Sequence, residues 1–140
     1  MTHAYIYDAI RTPRGRAKET GSLHALSPLA LLKTLYDALA ERNPLDKSQV
    51  DDVILGCVTQ AGDQAANIAK TSLLYAGWPS HVPGITVNRF CSSGLDAINF
   101  AALKVQGGQA GMVIAGGVEM MSHVPMLSDK ATVFTAPKMA

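Results

Sequence analysis

The chain is poor in charge, in cysteine and in long apolar runs, and each shortage excludes a class of protein. Charged residues make up 16% of the 140 residues and the formal net charge is +1, so no general attraction to nucleic acid or an anionic membrane is expected. Two cysteines, Cys57 and Cys91, do not make a disulfide framework and indicate a reducing compartment. No run approaches 18 uninterrupted apolar residues, which argues against a membrane span.

Apolar side chains are what the chain has in quantity, since 48% of its residues are hydrophobic. With so little charge, much of the chain is expected to lie between layers or beneath another segment. The length suits one domain of ordinary size. Residues 1–8 lack the basic and then apolar plan of a signal peptide, so the cytoplasm is the expected location.

Four short apolar runs alternate with three segments of helical spacing. Ser27 followed by Pro28 is typical of a helix start, and Gly77 followed by Pro79 of a helix end. Asp46 is expected to open one helical turn. The predicted strands cover residues 4–10, 53–58, 84–88 and 112–115, and the predicted helices cover residues 28–42, 65–76 and 92–106.

This order predicts an α/β fold of the form βαβαβαβ. The strands are continuous apolar runs rather than alternating patterns, which indicates a layered parallel sheet with helices on both faces. Functional groups in such folds gather beyond the carboxyl ends of the strands. Cys91 follows one of these ends and Gly116-Gly117 follows another, so the two segments are expected at one rim of the sheet.

Cys91 is the leading candidate for chemistry. It lies between a predicted strand and a helix marked by Leu95, Ile98, Ala102 and Val105 at steps of three and four. Unpaired backbone N–H groups at a helix start create a positive potential, which favours thiolate over thiol. The alternative is a small, inert core thiol, and the local pattern leaves both open.

Other candidates have simpler explanations. Cys57 lies within a predicted strand, which favours core packing. Ser92 and Ser93 are placed for helix capping rather than for nucleophilic attack. The basic residues of the segment 11–18 could grip a phosphate, but a solvated loop is the preferred interpretation. These basic residues are Arg11, Arg14, Arg16 and Lys18.

Two segments carry a pattern that resembles the thiolase family. Val87-Asn88-Arg89-Phe90-Cys91-Ser92-Ser93-Gly94-Leu95-Asp96-Ala97-Ile98 is similar to the nucleophile region of thiolases. Ala115-Gly116-Gly117-Val118-Glu119-Met120-Met121-Ser122 is similar to their second N-terminal signature. Arg11-Thr12-Pro13 and Val53-Ile54-Leu55-Gly56 also fit, and the similarity runs from about residue 4 to residue 128.

The resemblance implies a fold and an activity. The fold is the N-terminal half of a duplicated core, with residues 1–122 as an incomplete N-terminal domain and 123–140 as the start of a loop domain. The activity is acyl transfer to and from coenzyme A, by thiolysis of a 3-ketoacyl-CoA or by Claisen condensation. Coenzyme A and acyl-CoA are then substrates, no cofactor is permanently bound and no metal is needed.

Residue roles follow from the same resemblance. Cys91 corresponds to the cysteine that takes the acyl group as a thioester, and its backbone N–H is expected to help hold the oxyanion. Gly116 and Gly117 are expected to let backbone pass close to the cysteine loop. Glu119 could act as a base, but a structural role is preferred. No residue is assigned to coenzyme A binding.

The proton-transfer groups of a thiolase are not found in the sequence. The family uses a histidine in a Gly-His-Pro motif and a second cysteine in a Cys-x-Gly motif, and none of the four histidines nor Cys57 matches. We therefore expect the remainder of a thiolase in the same or a companion chain, and no turnover by these 140 residues alone. The resemblance also implies a homodimer or homotetramer, with residues 86–89 near a subunit interface.

Two alternatives remain at this point. One is a ketoacyl synthase-like condensing enzyme, which the stretch from Gly116 to Ser122 fits less well. The other is a catalytically inactive thiolase-like fragment that serves as a binding or assembly module.

Overall fold

A computed structural model describes residues 3–130, and it contains three α-helices and three strands within that range. Short 3-10 turns at Lys47–Gln49 and Gly62–Gln64 flank the first strand. No helix in the described part of the chain is long and apolar enough to cross a membrane. The elements are α1 (Pro28–Arg42), β1 (Asp52–Gly56), α2 (Ile68–Tyr75), β2 (Gly84–Val87), α3 (Ser93–Gln106) and β3 (Val113–Gly117).

The three strands form a parallel sheet in the order β2-β1-β3. At its carboxyl edge Gly56 of β1 is in register with Val87 of β2 and with Gly117 of β3. The predicted parallel α/β sheet is confirmed, and so is the common rim, because the segments after β2 and β3 leave the sheet on either side of β1.

Helices cover both faces of the sheet, as expected for strands that are apolar along their length. One core joins α1 and α2 to β1, and the other joins α3 to β1. Side chains alternate between them along β1, since Val53 and Leu55 enter the first core and Ile54 enters the second. The first core includes Leu32, Tyr36, Val53, Leu55, Cys57, Ile68, Leu73 and Trp78.

Local signals set the bounds of the first two helices. The Ser27 hydroxyl accepts the Ala30 N–H at 3.1 Å and begins α1. The prediction started α2 at residue 65, but Ala66 has a φ of 58° and the Asn67 side chain caps the helix by accepting the Lys70 N–H. The helix therefore begins at Ile68, because a residue with positive φ cannot continue a right-handed helix.

Small residues set the distance between α3 and the sheet. Ser93, Ala97 and Ala101 are the buried residues of this helix, whereas Leu95 and Ile98 are 61% and 45% exposed. A Cβ added to Gly56 would lie 2.4 Å from the Ser93 carbonyl carbon. The helical spacing identified the helix, and the small side chains identify its packed face.

The predicted strand over residues 4–10 is wrong for the described structure. No ladder pairs this segment with another strand within residues 3–130, and Tyr5, Ile6 and Tyr7 are more than 70% exposed. Asp8 holds the segment against α1, because its carboxylate accepts a hydrogen bond from the Asn43 side chain at 2.9 Å and forms an ion pair with Arg42 at 3.0 Å. Branched and aromatic residues favour a strand, but a strand also needs a neighbour.

The segment after β3 is described as far as residue 130. It consists mainly of turns after Gly117, and its residues Met120 and Val124 are buried. Residues 131–140 of the predicted loop domain lie outside the described range. The boundary at residue 122 stays a prediction.

Candidate functional site

The turn that carries Cys91 joins the end of β2 to the start of α3. Phe90 has a φ of 49°, a left-handed conformation that costs a non-glycine residue about 1–3 kcal/mol. The Phe90 N–H donates to Asn88 Oδ1 at 2.8 Å, and the Phe90 carbonyl accepts from the Ser93 N–H and hydroxyl at 3.0 and 2.6 Å. The turn is therefore held in a strained form directly before the candidate nucleophile.

The two cysteines have opposite environments. Cys91 is exposed and free, whereas Cys57 is 1% exposed and belongs to the first core. Burial, with smaller effects from the charges of Glu119 and Asp129, raises the pKa of the Cys57 thiol to about 12. Cys57 is thus an inert core residue, as predicted, and the alternative of a buried core thiol does not hold for Cys91.

The two serines after Cys91 have different roles, and only the Ser93 side chain holds the turn. Ser93 accepts the Arg89 N–H at 2.8 Å and donates to the Phe90 carbonyl. Ser92 occupies the capping position of α3, but its side chain makes no capping hydrogen bond. Ser92 therefore has the predicted capping position but not the capping hydrogen bond. Ser93 binds the backbone of the turn rather than the N–H groups of the helix.

The Glu119 carboxylate accepts three hydrogen bonds. Its donors are the backbone N–H groups of Val58 and Thr59, at 2.8 and 3.2 Å, and the Gln64 side chain at 2.6 Å. Gln64 is fully buried and also binds the Met120 N–H and the Thr59 carbonyl. These contacts favour the structural interpretation of Glu119 over a catalytic base.

Asn88 and Gln64 were missed at the sequence level. Asn88 donates from Nδ2 to the Val58 carbonyl at 2.9 Å, in addition to its bond to the Phe90 N–H. Its position three residues before the cysteine, in the quoted motif, was the available signal. No sequence signal marked Gln64, because a sequence pattern cannot distinguish a buried glutamine in a polar turn from an exposed one.

The close approach assigned to Gly116 and Gly117 belongs mainly to Gly56. A Cβ on Gly116 would meet nothing nearer than Leu55 Cδ2 at 3.8 Å, and one on Gly117 would lie 2.8 Å from the Gly56 carbonyl oxygen. The start of α3 instead lies against Gly56. A glycine that ends an apolar strand was the sequence signal for this contact.

His123 joins three separate segments. Its Nδ1 is 2.7 Å from Asp63 Oδ2, and its Nε2 is 2.6 Å from the His24 carbonyl oxygen. The rings of His24 and His123 meet edge to face at 4.7 Å. Both acceptors favour the doubly protonated ring, and the hydrogen bond to Asp63, followed by that to His24, raises the pKa of His123 above 6.5.

We expect this junction to weaken as the pH rises. A histidine with a raised folded-state pKa stabilises the folded chain fully below its unfolded value of 6.5, and this contribution is lost as the pH rises through the folded value. An NMR titration should place the His123 midpoint above 6.5, and Asp63→Asn should lower it. Asp51→Asn is the control and should leave it unchanged; an unaltered midpoint in Asp63→Asn would contradict the assignment.

The basic segment borders a cleft. Arg11, Arg14, Arg16 and Lys18 are exposed, which agrees with a solvated loop. A cleft of about 400 Å³ lies between residues 12–17, α1 and residues 117–122. Within residues 3–130 no three side chains of His, Cys, Asp or Glu are grouped to hold a metal ion.

Comparison with known proteins decides the family. The family described as "Thiolase, N-terminal domain" matches residues 4–138. The chain belongs to the thiolase family. This confirms the resemblance drawn from the two motifs around Cys91 and Glu119, and it selects thiolase over the ketoacyl synthase-like alternative.

Curated relatives and a solved structure agree with this assignment. The chain is 50% identical over 128 residues to the beta-ketoadipyl-CoA thiolase of Pseudomonas knackmussii, covering 91% of this chain and 31% of the relative. It is 45% identical over 128 residues to a steroid 3-ketoacyl-CoA thiolase of Mycobacterium tuberculosis, with the same two coverages. The acetyl-CoA acetyltransferase of Bacillus anthracis superposes with a TM-score of 0.69 at 42% identity, over 75% of this chain and 26% of that one. The chain thus spans about a third of the length of the curated thiolases it matches.

Proposed function

We propose that this thiolase chain carries the acyl group of an acyl-CoA acyltransferase on Cys91. The observation that carries the proposal is the free, exposed thiol of Cys91 on a strained turn at the start of α3. Rare backbone conformations concentrate at functional sites because only a surrounding structure that over-determines them can hold them. The buried Cys57 offers no competing nucleophile.

In thiolysis, the Cys91 sulfur would form a bond to the 3-keto carbon of the substrate. The bond between that carbon and the α-carbon would then break, and the α-carbon would take up a proton to leave as acetyl-CoA. The thiol of a second coenzyme A would release the acyl group from Cys91 as a new acyl-CoA. Claisen condensation is the reverse sequence, and a thiolate suits both because it is a strong nucleophile and a good leaving group.

The backbone of Cys91 supports this chemistry. Among the described residues no hydrogen bond uses the Cys91 N–H, although those of Phe90, Ser92 and Ser93 are all engaged. An unpaired backbone N–H next to a helix N-terminus can donate a hydrogen bond to the negatively charged oxygen of a tetrahedral intermediate. One such donor is typically worth about 3 kcal/mol of barrier.

The proton-transfer groups are expected to lie outside the described residues. No hydrogen bond joins Cys91 to a histidine within residues 3–130, since His123 binds Asp63 and the His24 carbonyl and His81 binds the Ser48 carbonyl. We propose that histidine and cysteine groups of the Gly-His-Pro and Cys-x-Gly motifs complete the site from the remainder of the thiolase, in the same or a companion chain.

Acyl-enzyme formation in the complete thiolase tests the proposal, because it reports the first covalent step separately from full turnover. The complete thiolase is incubated with acetyl-CoA, digested and examined by mass spectrometry. We expect one acetyl adduct, on the Cys91 peptide, and none on the Cys57 peptide. An adduct on Cys57, or a chain that stays unmodified, would support the alternative of a binding or assembly module.

The substrates, location and oligomeric state are part of the same proposal. Acyl-CoA and coenzyme A would be substrates rather than bound cofactors, and the enzyme would act in the cytoplasm as a homodimer or homotetramer. β2 lies at the edge of the sheet in the described chain, which suits the expectation that residues 86–89 approach a second subunit.

A further inference from the structure

Val58 lies between the two motif segments and binds both. Its N–H donates to Glu119 Oε2 at 2.8 Å, in the segment after β3. Its carbonyl accepts from Asn88 Nδ2 at 2.9 Å, in the segment after β2. The two backbone polar groups of one residue therefore connect segments that have no strand pairing with each other.

The connection continues to the residue before the nucleophile. Asn88 uses the other end of its amide, since Oδ1 accepts the Phe90 N–H at 2.8 Å. A displaced Val58 carbonyl would thus reorient the Asn88 amide and release the Phe90 N–H. That bond is one of those that hold Phe90 at a positive φ, so its loss would free the Cys91 turn.

The other end of the connection is rigid. Glu119 also accepts from Gln64, which is fully buried and which binds the Met120 N–H at 2.9 Å and the Thr59 carbonyl at 2.8 Å. This buried amide fixes the orientation of the carboxylate. The network therefore has a fixed origin at Gln64 and a strained end at Phe90.

We propose that Glu119 is a positioning residue for Cys91, acting through the backbone of Val58 and the side chain of Asn88. The assignment rests on the proposed role of Cys91 as the acyl carrier. Glu119 touches no substrate in this scheme, and its effect is on the position and mobility of the turn.

A double-mutant cycle tests the coupling. Glu119→Gln preserves shape but turns an amide NH2 toward backbone donors, and Asn88→Ala removes the link to Val58. The readouts are amide hydrogen exchange at Phe90 and the rate of Cys91 alkylation by iodoacetamide. We expect each single variant to raise Phe90 exchange and alter the alkylation rate by about three- to tenfold, with no further change in the double variant.

The matched control is Asp51→Asn. Asp51 is also a carboxylate that accepts two backbone N–H groups, from Gly111 and Met112 at 2.7 and 3.1 Å, but it lies at the amino end of the sheet. The Asp51→Asn substitution should leave both the Phe90 exchange rate and the Cys91 alkylation rate unchanged. Additive effects of Glu119→Gln and Asn88→Ala, or an unchanged Phe90 in Glu119→Gln, would overturn the proposal.

If Glu119→Gln fails to fold, the amide N–H groups of Ile54 and Leu55 in β1 will lose their protection from hydrogen exchange. A reciprocal measurement on Asn88→Ala then tests the proposal instead. Coupling is reciprocal, so Asn88→Ala should raise exchange of the Val58 N–H that Glu119 binds. No change at Val58 would overturn the proposal. Neither readout involves acyl-CoA, so a failed acetylation of Cys91 would be seen separately and would count against the proposed function.

Discussion

Replacing Cys91 with serine should abolish acyl-enzyme formation and lower acetyl transfer by the complete enzyme by roughly four to six orders of magnitude. A serine hydroxyl is a far weaker nucleophile than a thiolate, and the alkoxide formed from it is a poorer leaving group, so both formation and release of the acyl-enzyme should slow. The free energy of unfolding should change by about 0.5 kcal/mol or less, because the Cys91 side chain is exposed. Acetylation followed by mass spectrometry, together with urea unfolding, measures both quantities.

The second cysteine is the control and should behave in the opposite way. Cys57 is buried in the core against residues of α1 and α2, so Cys57→Ala should cost about 1–2 kcal/mol of stability. The folded Cys57→Ala protein should still be acetylated on Cys91. Retained acyl transfer in Cys91→Ser, or its loss in folded Cys57→Ala, would contradict the assignment of the nucleophile.

Replacing Gly56 with alanine should destabilise the chain by about 3 kcal/mol or more. The added Cβ would lie 2.4 Å from the Ser93 carbonyl carbon, 2.5 Å from the Gly94 nitrogen and 2.7 Å from the Ser93 carbonyl oxygen. Unbonded carbon atoms normally stay about 3.5–4.0 Å apart, so the start of α3 would have to move away from the sheet. Urea unfolding should show the loss, and the folded fraction should show altered alkylation of Cys91, since the same helix start carries the turn.

Gly116→Ala is the matched control for this substitution. Gly116 lies on the neighbouring strand in register with Leu55, and its added Cβ would meet only the Leu55 side chain at 3.8 Å. The free energy of unfolding of the Gly116→Ala variant should change by about 1 kcal/mol or less. Equal losses in the two variants would show that the cost comes from placing any side chain at the strand ends rather than from the contact with α3.

Features encoded over a few neighbouring residues were predictable. Ser27 and Pro28 mark the start of α1 by a capping hydroxyl and a preset φ, and Gly77 ends α2 with a φ of 72°. The placement of Cys91 between β2 and α3 followed from an apolar run, a turn and a helical period. Each of these signals is local, so it survives in a sequence without any knowledge of the fold.

Features that depend on a distant partner were not predictable in the same way. Residues 4–10 have the composition of a strand, but no strand pairs with them in the described range. The apolar period in α3 located the helix, yet the face with Ala97 and Ala101 packs on the sheet because small side chains allow close approach. Composition cannot reveal which surface a helix buries when both faces are apolar.

The sequence by itself determined the family and the parallel α/β order, and it identified Cys91 as the candidate nucleophile, because these inferences depend on motifs and on short-range periodicity. Only the tertiary structure decided that Gly56 seats the start of α3 and that Glu119 connects through Val58 and Asn88 to the Cys91 turn. Both involve backbone groups 30 or more residues apart that meet where three parallel strands end. Which of those groups come within hydrogen-bond or van der Waals distance is set by strand order and register, and neither is encoded locally.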